Sequence, residues 1–430
     1  MRIWVLYVKF CSHLSKRWIL RLSKEYQVGV LMACAAFFTL AGYEFIRAPA
    51  TVLFKNAYGA ENLPLVMAAM PVVVFSGVAL YGWILSHLGS RRTLLVTSLG
   101  SGLLIFACYL AVLNGSKIIT PILFLTKELY IVLLIEQYWS YINSSLSSNT
   151  AKKLNGPITG IAGLGAVVGG KLVGVTAQPL GTESMLLIAA LLLIPAAFVS
   201  NLTYRRYGEP AAPPVSDDAK PHYMGWKLFK QNRTLASLLF IVLATQVVAA
   251  VLDFKFQTLL TSDYVGQTDS ESAFQGNFWG NVNLVSLTLQ FVGAPLLLSL
   301  VALRWVHLML PLVHITAITI AMIEPTVFTV GMAFLLFKAF DYSIFRAAKE
   351  VLYIPLGFDA RYRTKEVIDV FCYRTGKGGS SLLIALAQKA GVAINNYYLA
   401  IAFAMTAIWF VLVFPLTSKK NDTDTDAHVR

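Results

Sequence analysis

Charged residues are concentrated in one otherwise apolar stretch, residues 338–356, which reads KAFDYSIFRAAKEVLYIPL. On a continuous helix, at 100° per residue, Lys338 and Lys349 lie about 20° apart and roughly 16 Å along the axis. Asp341 and Arg346 flank this line, and Glu350 follows it. Lysine and arginine on one helix face bind anionic oxygen atoms, so the pattern predicts a site for an elongated anion.

The composition places this stretch inside a membrane. Of 430 residues, 57% are hydrophobic and 13% are charged, whereas ordinary soluble domains carry about 25% charged residues. One span needs roughly 20 apolar residues, so the length allows about a dozen spans. No nucleophile–base pair and no cluster of metal-ligating residues appears in the sequence. We therefore expect no enzyme, no cofactor, no metal and no nucleic-acid partner.

Apolar runs divide the chain into two sets of six spans. A long polar, proline-rich stretch separates the sets, as expected of a linker between two membrane halves. The predicted fold is an all-α membrane protein with 12 transmembrane helices in two six-helix bundles. Its segments are a basic tail (1–26), an N-terminal bundle (27–203), a linker (204–234), a C-terminal bundle (235–416) and a second tail (417–430).

Most loop lysines and arginines fall on the side of the two tails and the linker, whereas Lys55, Lys117 and Lys389 fall on the other side. Basic loops stay in the cytoplasm. Both termini are therefore predicted to be cytoplasmic, in a multi-pass protein of the bacterial inner membrane that we expect to be monomeric in the bilayer.

Nine basic residues fall within predicted spans. Each costs about 2.5–3.5 kcal/mol at the centre of a lipid-facing helix. All of them together would exceed the typical folding free energy of about 5–15 kcal/mol, so most must line a wet cavity or pair with acids. They are Arg47, Lys127, Lys171, Lys255, Lys338, Arg346, Lys349, Arg374 and Lys377.

The spans contain fewer acids than bases. Lys127 adjoins Glu128, and Asp341 and Glu350 follow Lys338 and Arg346 by three and four positions, spacings that share a helix face. Internal neutralisation therefore accounts for some of the bases and leaves an excess. Buried positive charge in excess predicts a negatively charged substrate.

Two packing features are predicted from spacing. Gly165 and Gly169, four positions apart in an apolar span, are typical of close helix contact. His307 and His314 share one helix face, and we expect them to be packed or at the membrane interface rather than to carry protons.

Two stretches resemble known transporter families. GWILSHLGSRRTL (82–94) is similar to the loop signature of the major facilitator superfamily, with Ser86 in place of its usual acid. KAFDYSIFRAAKEVLYIPLGFDARYRTKEVIDVFCYRTGKGGSSL (338–382) resembles the C-terminal signature of the ATP/ADP translocases of plastids and intracellular bacteria. The shared positions include Lys338, Tyr342, Lys349–Glu350, Lys365, Arg374 and Gly376–Gly379.

Weaker matches to the same family occur in order along the chain. VLDFKFQTLL (251–260) and SAFQGNFW (272–279) resemble its seventh and eighth spans, with Lys255 at a family lysine, and residues 127–143 resemble its fourth span, with Glu128 at an important acid. FIRAPATVLF (45–54) keeps Arg47 of the first-span motif. Ala50 replaces the family lysine associated with nucleotide binding.

The resemblance implies a transporter that exchanges ATP, ADP or related nucleotides without hydrolysing them. The predicted substrate-binding residues are Arg47, Lys255, Lys338, Arg346, Lys349, Arg374, Lys377 and Tyr342. The predicted charge partners are Glu128, Asp253, Asp341 and Glu350. Two alternatives stay open at this point: a proton-coupled transporter of another organic anion or phosphate, and a membrane scaffold or sensor that has lost transport.

Overall fold

A computed structural model describes residues 23–209, 229, 233–354, 364–365, 367–368 and 372–416. Throughout these ranges the regular secondary structure is helical, and they contain no strand. Both predicted tails up to residue 22 and from residue 417, together with most of the linker, lie outside the described residues.

Six α-helices form the first part of the chain. They are α1 (Lys24–Tyr58), α2 (Leu63–Ala68), α3 (Met70–Leu113), α4 (Ile119–Ser145), α5 (Ser148–Leu180) and α6 (Thr182–Tyr207). α3 contains two successive spans, because Gly89 adopts φ 72° and ψ 166° and bends the helix there. A positive φ is accessible to glycine without steric cost.

The second part of the chain contains two helices interrupted by π-helical turns. Its α-helices are α7 (Arg233–Asp263), α8 (Thr268–Thr288), α9 (Ala294–Leu300), α10 (Leu303–Ile323), α11 (Val327–Phe340), α12 (Arg346–Tyr353), α13 (Tyr373–Lys389) and α14 (Tyr398–Leu416). The π-turn Leu289–Gly293 joins α8 to α9, and the π-turn Asp341–Phe345 joins α11 to α12.

Nine helices in the described ranges are long and apolar enough to cross a membrane. One of the nine is the bent α3, which provides two crossings. α4, with its internal charges, and the shorter α13 are additional to the nine. The protein is therefore an all-α, multi-pass membrane protein, as the sequence predicts.

The buried hydrophobic side chains form two clusters. One is built from residues 28–204 with Ala273, and the other mainly from residues 229–416 with a few side chains of α1, α2 and α4. We call residues 23–209 the N-half and residues 229–416 the C-half. His307 and His314 lie in the C-half core, packed against Phe345, Phe337 and Trp409, so the prediction of packed histidines is confirmed.

Helix α5 packs closely on both halves through two pairs of glycines. Gly165 and Gly169 lie against the backbone of α1, which confirms the predicted helix contact. Gly170 and Gly174 face α8 of the C-half, where a Cβ added to Gly170 would lie 2.7 Å from the Cα of Gly280. The two halves therefore meet backbone to backbone at this crossing, a contact that only residues without a side chain allow.

One geometric expectation was wrong. The π-turn at Asp341–Phe345 inserts an extra residue into the helical register, so Lys338 and Lys349 do not lie on one continuous face. A single inserted residue rotates everything after it by about 100°. Lys338 and Lys349 therefore reach different parts of the interior.

Candidate functional site

The interior between the two halves contains two adjoining compartments. The large compartment has a volume of ≈ 400 Å³ and the small compartment ≈ 90 Å³. Met67, Glu128, Tyr342 and Lys377 line both, so the two form one continuous site. Residues of α1 and α4 from the N-half and of α7, α8, α11 and α13 from the C-half contribute to it.

Arg47 of α1 lies in the small compartment between groups from both halves. Its guanidinium carbon is 3.2 Å from the ring centroid of Trp279 on α8, and its Nη1 donates to Glu44 Oε1 at 3.3 Å. Asn283 Nδ2 donates to the same carboxylate oxygen at 2.9 Å. Stacking on an indole and pairing with a carboxylate hold the planar guanidinium in one orientation.

Lys127 of α4 is the second base of the small compartment. Its Nζ donates to Thr51 Oγ1 at 3.0 Å and lies 3.7 Å from Glu128 Oε1 and 3.9 Å from the ring centroid of Phe124. Sequence reasoning placed Lys127 among the intramembrane bases but not among the binding residues. Its adjacency to Glu128 suggested local neutralisation, whereas the structure also places it on the compartment wall.

Lys338 of α11 is the third base that lines only the small compartment, and Lys377 is shared with the large one. Its Nζ lies 5.7 Å from the Phe334 ring centroid and 5.5 Å from that of Tyr342. Tyr342, in the π-turn, is 38% exposed and borders both compartments. Tyr130, Tyr138 and Phe345 are instead buried in the cores.

The large compartment is lined by charged residues of the π-turn and of α12. Arg346, Lys349, Asp341 and Glu350 all contribute to its wall. Lys349 Nζ lies 4.8 Å from the ring centroid of Tyr373, and Lys365 Nζ lies 2.5 Å from Glu350 Oε2. The expected pairs Lys338–Asp341 and Arg346–Glu350 are absent from the ion pairs that join described residues.

Two of the predicted binding residues are not seen in the site. Lys255 lines neither compartment, because it follows Asp253 by two positions and points about 200° away around α7. Asp253 itself lines the small compartment. The side chain of Arg374 lies outside the described residues, although its backbone belongs to α13.

The end of the molecule where α1 ends and α8 begins is closed by polar contacts between the halves. We call this the far end. Lys55 pairs with Glu271 there, and their side chains are 1% and 3% exposed. Asn56 Nδ2 donates to Thr268 Oγ1 at 2.8 Å, and the backbone N–H of Thr182 donates to Asp269 Oδ1 at 2.7 Å.

Lys55 corrects an expectation from the sequence, which placed it in an exposed loop. The helix α1 continues to Tyr58, well past the end of the apolar run, and so carries Lys55 into the contact with α8. The partner Glu271 is 216 positions away, and no local pattern links the two residues. Trp279, in the weakly matching stretch 272–279, was likewise not recognised as a site residue.

The opposite end of the site reaches the surface. Glu350 of the large compartment has a side chain that is 45% exposed, and its partner Lys365 is 37% exposed. The small compartment instead adjoins the far-end contacts, since Gln257 lines it and its backbone oxygen accepts from Lys55 Nζ at 3.4 Å. The arrangement is a charged cavity between two halves, closed at the far end and entered from the side of Glu350.

Comparison with known proteins gives a family match for the C-terminal part of the chain. Residues 239–420 match the model of the TLC ATP/ADP transporter family. The matches suggested by residues 45–54 and 127–143 lie before this range and stay predictions.

Two curated relatives are ADP,ATP carriers. The chain is 36% identical over 78 residues to ADP,ATP carrier protein 1 of Chlamydia muridarum (strain MoPn / Nigg), which is 17% of this chain and 15% of that protein. It is 35% identical over 81 residues to ADP,ATP carrier protein 1 of Chlamydia pneumoniae, 18% of this chain and 16% of that protein. The alignments thus span less than a fifth of the length of either relative.

Solved structures of transporters share the fold over nearly the whole chain. A crystal structure of a mutant of the nucleoside transporter NupG superposes with a TM-score of 0.64 at 12% identity, covering 90% of this chain and 98% of that one. A bacterial homologue of the iron transporter ferroportin in an inward-facing state superposes with a TM-score of 0.63 at 14% identity, covering 92% of this chain and 99% of that one. Residues 239–420 therefore match the TLC ATP/ADP transporter family, and the chain as a whole has the major facilitator-type fold that these solved structures share; the matched proteins are transporters and not enzymes.

Proposed function

We propose that this protein exchanges nucleotides across a membrane by alternating access. The observation that carries the proposal is the cavity between the halves, where bases from α1, α4, α11, α12 and α13 converge. Lysine and arginine side chains bind phosphate oxygens as point charges or as bidentate forks. The relatives are ADP,ATP carriers, which supports a nucleotide as the substrate.

The proposed cycle begins with the far end closed and the large compartment accessible. A nucleotide enters past Glu350 and neutralises the bases, and the halves then rock so that the opposite end opens. An empty cavity whose bases outnumber its acids resists closing, because closure removes water from this excess positive charge. Each reversal therefore requires a bound anion, and this requirement produces exchange rather than net leakage.

The membrane placement belongs to the same proposal. Basic residues concentrate in the two tails and in the linker, and such segments stay cytoplasmic. We infer that both termini face the cytoplasm of a bacterial inner membrane, that the entrance near Glu350 faces the same side, and that a single chain forms the site.

The proposal is tested by uptake into liposomes that contain the purified full-length protein. The liposomes are loaded with unlabelled ADP, and labelled ATP, ADP, AMP or inorganic phosphate is supplied outside. We expect nucleotide uptake that depends on the internal nucleotide and does not depend on a pH gradient. Uptake that follows the pH gradient and needs no internal nucleotide would instead support the proton-coupled alternative.

A pair of lysine variants tests whether the cavity carries the activity. We expect Lys338→Gln to reduce uptake at least tenfold, because it removes a base from the small compartment. Lys255→Gln serves as the matched control, since that lysine lines neither compartment, and its uptake should stay within about twofold of wild type. Equal loss in both variants would contradict a role for the cavity.

A further inference from the structure

The two compartments differ in charge. Lys377 and Glu128 line both and balance each other. The large compartment alone has two bases, Arg346 and Lys349, and two acids, Asp341 and Glu350.

The small compartment alone has three bases and one acid. The bases are Arg47, Lys127 and Lys338, and the acid is Asp253. Among the described side chains that line the site, the excess positive charge therefore lies in the small compartment, although Glu44, which does not line it, pairs with Arg47 and offsets one of the three bases.

We propose that the phosphate end of the nucleotide occupies the small compartment, that the nucleoside occupies the large one, and that Asp253 determines how many phosphate charges are accepted. The proposal rests on the proposed function of nucleotide transport. It goes further by giving the substrate an orientation and by assigning a specificity role to one acid.

Charge and chemistry both favour the small compartment for phosphate. Its bases exceed its acids, and its wall adds the hydroxyl-bearing side chains of Thr51 and Tyr43 and the amide of Gln257. Uncompensated positive charge away from bulk water attracts anions strongly, because the surrounding medium screens it weakly. A phosphoryl group satisfies several of these donors at once.

The large compartment has the features of a nucleoside site. Its charges are balanced, and much of its wall is apolar, with Met67, Met70, Val74 and Val132 contributed by the N-half. The aromatic ring of Tyr342 lies at the boundary with the small compartment. Any nucleobase can stack on an aromatic ring, because every base has a flat π-face.

Asp253 differs from the other acid of the small compartment in its partners. Glu128 lies 3.7 Å from Lys127. Asp253 has no described base within ion-pair distance, and its Oδ1 accepts a hydrogen bond from Gln257 Nε2 at 3.4 Å. Its negative charge is therefore not neutralised by direct contact and repels each charge that is added to the phosphate chain.

The test compares two variants that each remove one negative charge. Asp253→Asn removes it from the small compartment, and Glu350→Gln removes it from the large one. Equilibrium dialysis of the purified full-length protein measures the Kd of AMP, ADP and ATP without Mg²⁺, at one pH and one ionic strength. The quantity compared is the Kd of AMP divided by the Kd of ATP.

We expect Asp253→Asn to raise this ratio about tenfold or more, as for close charge pairs in a desolvated interface. Glu350→Gln should change the three affinities by a similar factor and the ratio by less than about twofold, because an exposed charge is screened. Lys338→Gln instead removes a positive charge from the small compartment, so it should lower the ratio of the Kd of AMP to the Kd of ATP. It also keeps the test decisive if Asp253→Asn does not fold.

Two results would overturn the inference while leaving nucleotide transport intact. One is an equal shift of the ratio in Asp253→Asn and Glu350→Gln, and the other is a larger shift in Glu350→Gln, which would place the phosphates in the large compartment. Wild-type protein that is folded but binds none of the three nucleotides would instead refute the proposed function.

Discussion

Arg47 connects the two halves through its own contacts. It belongs to α1, yet its guanidinium stacks on Trp279 of α8, and its partner Glu44 accepts from Asn283 of the same helix. A phosphate that binds Arg47 competes with contacts made by the opposite half. In the proposed function, substrate binding at this residue is therefore linked to the relative position of the halves.

The shape of the Arg47 side chain matters as much as its charge. We expect Arg47→Lys to weaken nucleotide binding about tenfold although the charge is kept, because lysine lacks the planar fork and stacks poorly on an indole. Equilibrium dialysis with ATP measures the effect. Arg304→Lys, at an exposed position on α10, is the matched control and should leave the Kd of ATP unchanged.

The sequence predicted much of the site at the scale of single residues. Charges within apolar spans are conspicuous, and Arg47, Lys338, Arg346, Lys349 and Lys377 all line the compartments. Lys127 and Trp279 were not identified as site residues. The importance of Trp279 comes from a contact with a residue 232 positions earlier in the chain, and such contacts leave no local pattern.

At the scale of elements, the π-turns determine which side chains reach which compartment. The π-turn of α11–α12 packs against the π-turn of α8–α9, and Ile344 approaches Gly293. An inserted residue of this kind has no reliable sequence signature, because tertiary packing stabilises it. The helix itself was predictable from its apolar run, whereas the division of its lysines between two compartments was not.

The glycine crossing of α5 and α8 gives a prediction for stability. A Cβ added to Gly276 would lie 2.6 Å from Val173 Cγ1 and 2.8 Å from the backbone nitrogen of Gly174. We expect Gly276→Ala to lower the free energy of unfolding by about 1–3 kcal/mol through overpacking. Thermal unfolding in detergent, with and without ATP, measures the change.

Gly100 offers the matched control for this substitution. It lies within α3, and an added Cβ meets no atom within 4 Å. Gly100→Ala should leave the protein as stable as wild type or slightly more stable, since alanine favours a helix. A similar loss of stability in both variants would show that the close contact at the crossing does not explain the effect.

For the whole molecule, the far-end contacts stabilise one of the two states of the proposed cycle. Lys55 and Glu271 are almost fully buried and join α1 to α8. Removal of one partner from a buried ion pair leaves an uncompensated charge, at a cost of about 3–5 kcal/mol. The far-end-closed state therefore depends on both residues being present.

A charge swap separates the role of the pair from the role of either residue. We expect Lys55→Met and Glu271→Gln each to slow exchange at least fivefold and to lower thermal stability, because each leaves the other group unpaired. The double variant Lys55→Glu with Glu271→Lys should recover part of the uptake. If the double variant is worse than both single variants, the pair is not the source of the effect.

The helical passes could be predicted from the sequence, whereas the contacts that close the far end could not. Apolar runs and the loop-like stretch 82–94 indicated the helical passes, and α3 bends at Gly89 within that stretch. The far-end closure was not predictable, because a hydropathy pattern ends a helix where polar residues begin. Lys55 and Asn56 are polar residues that continue α1 into the contact with α8, where Lys55 is buried and Asn56 is exposed.

The backbone contact between α5 and α8 limits the ways in which the two halves can move. Gly170 and Gly280 are too close for one helix to slide along the other without a clash. Rolling about the crossing is then the motion that remains, and in a rotation the displacement grows with distance from the axis. In the proposed cycle, Lys171 and Asn281, bonded at 2.6 Å beside the crossing, would stay nearly in place, whereas the helix ends would travel furthest.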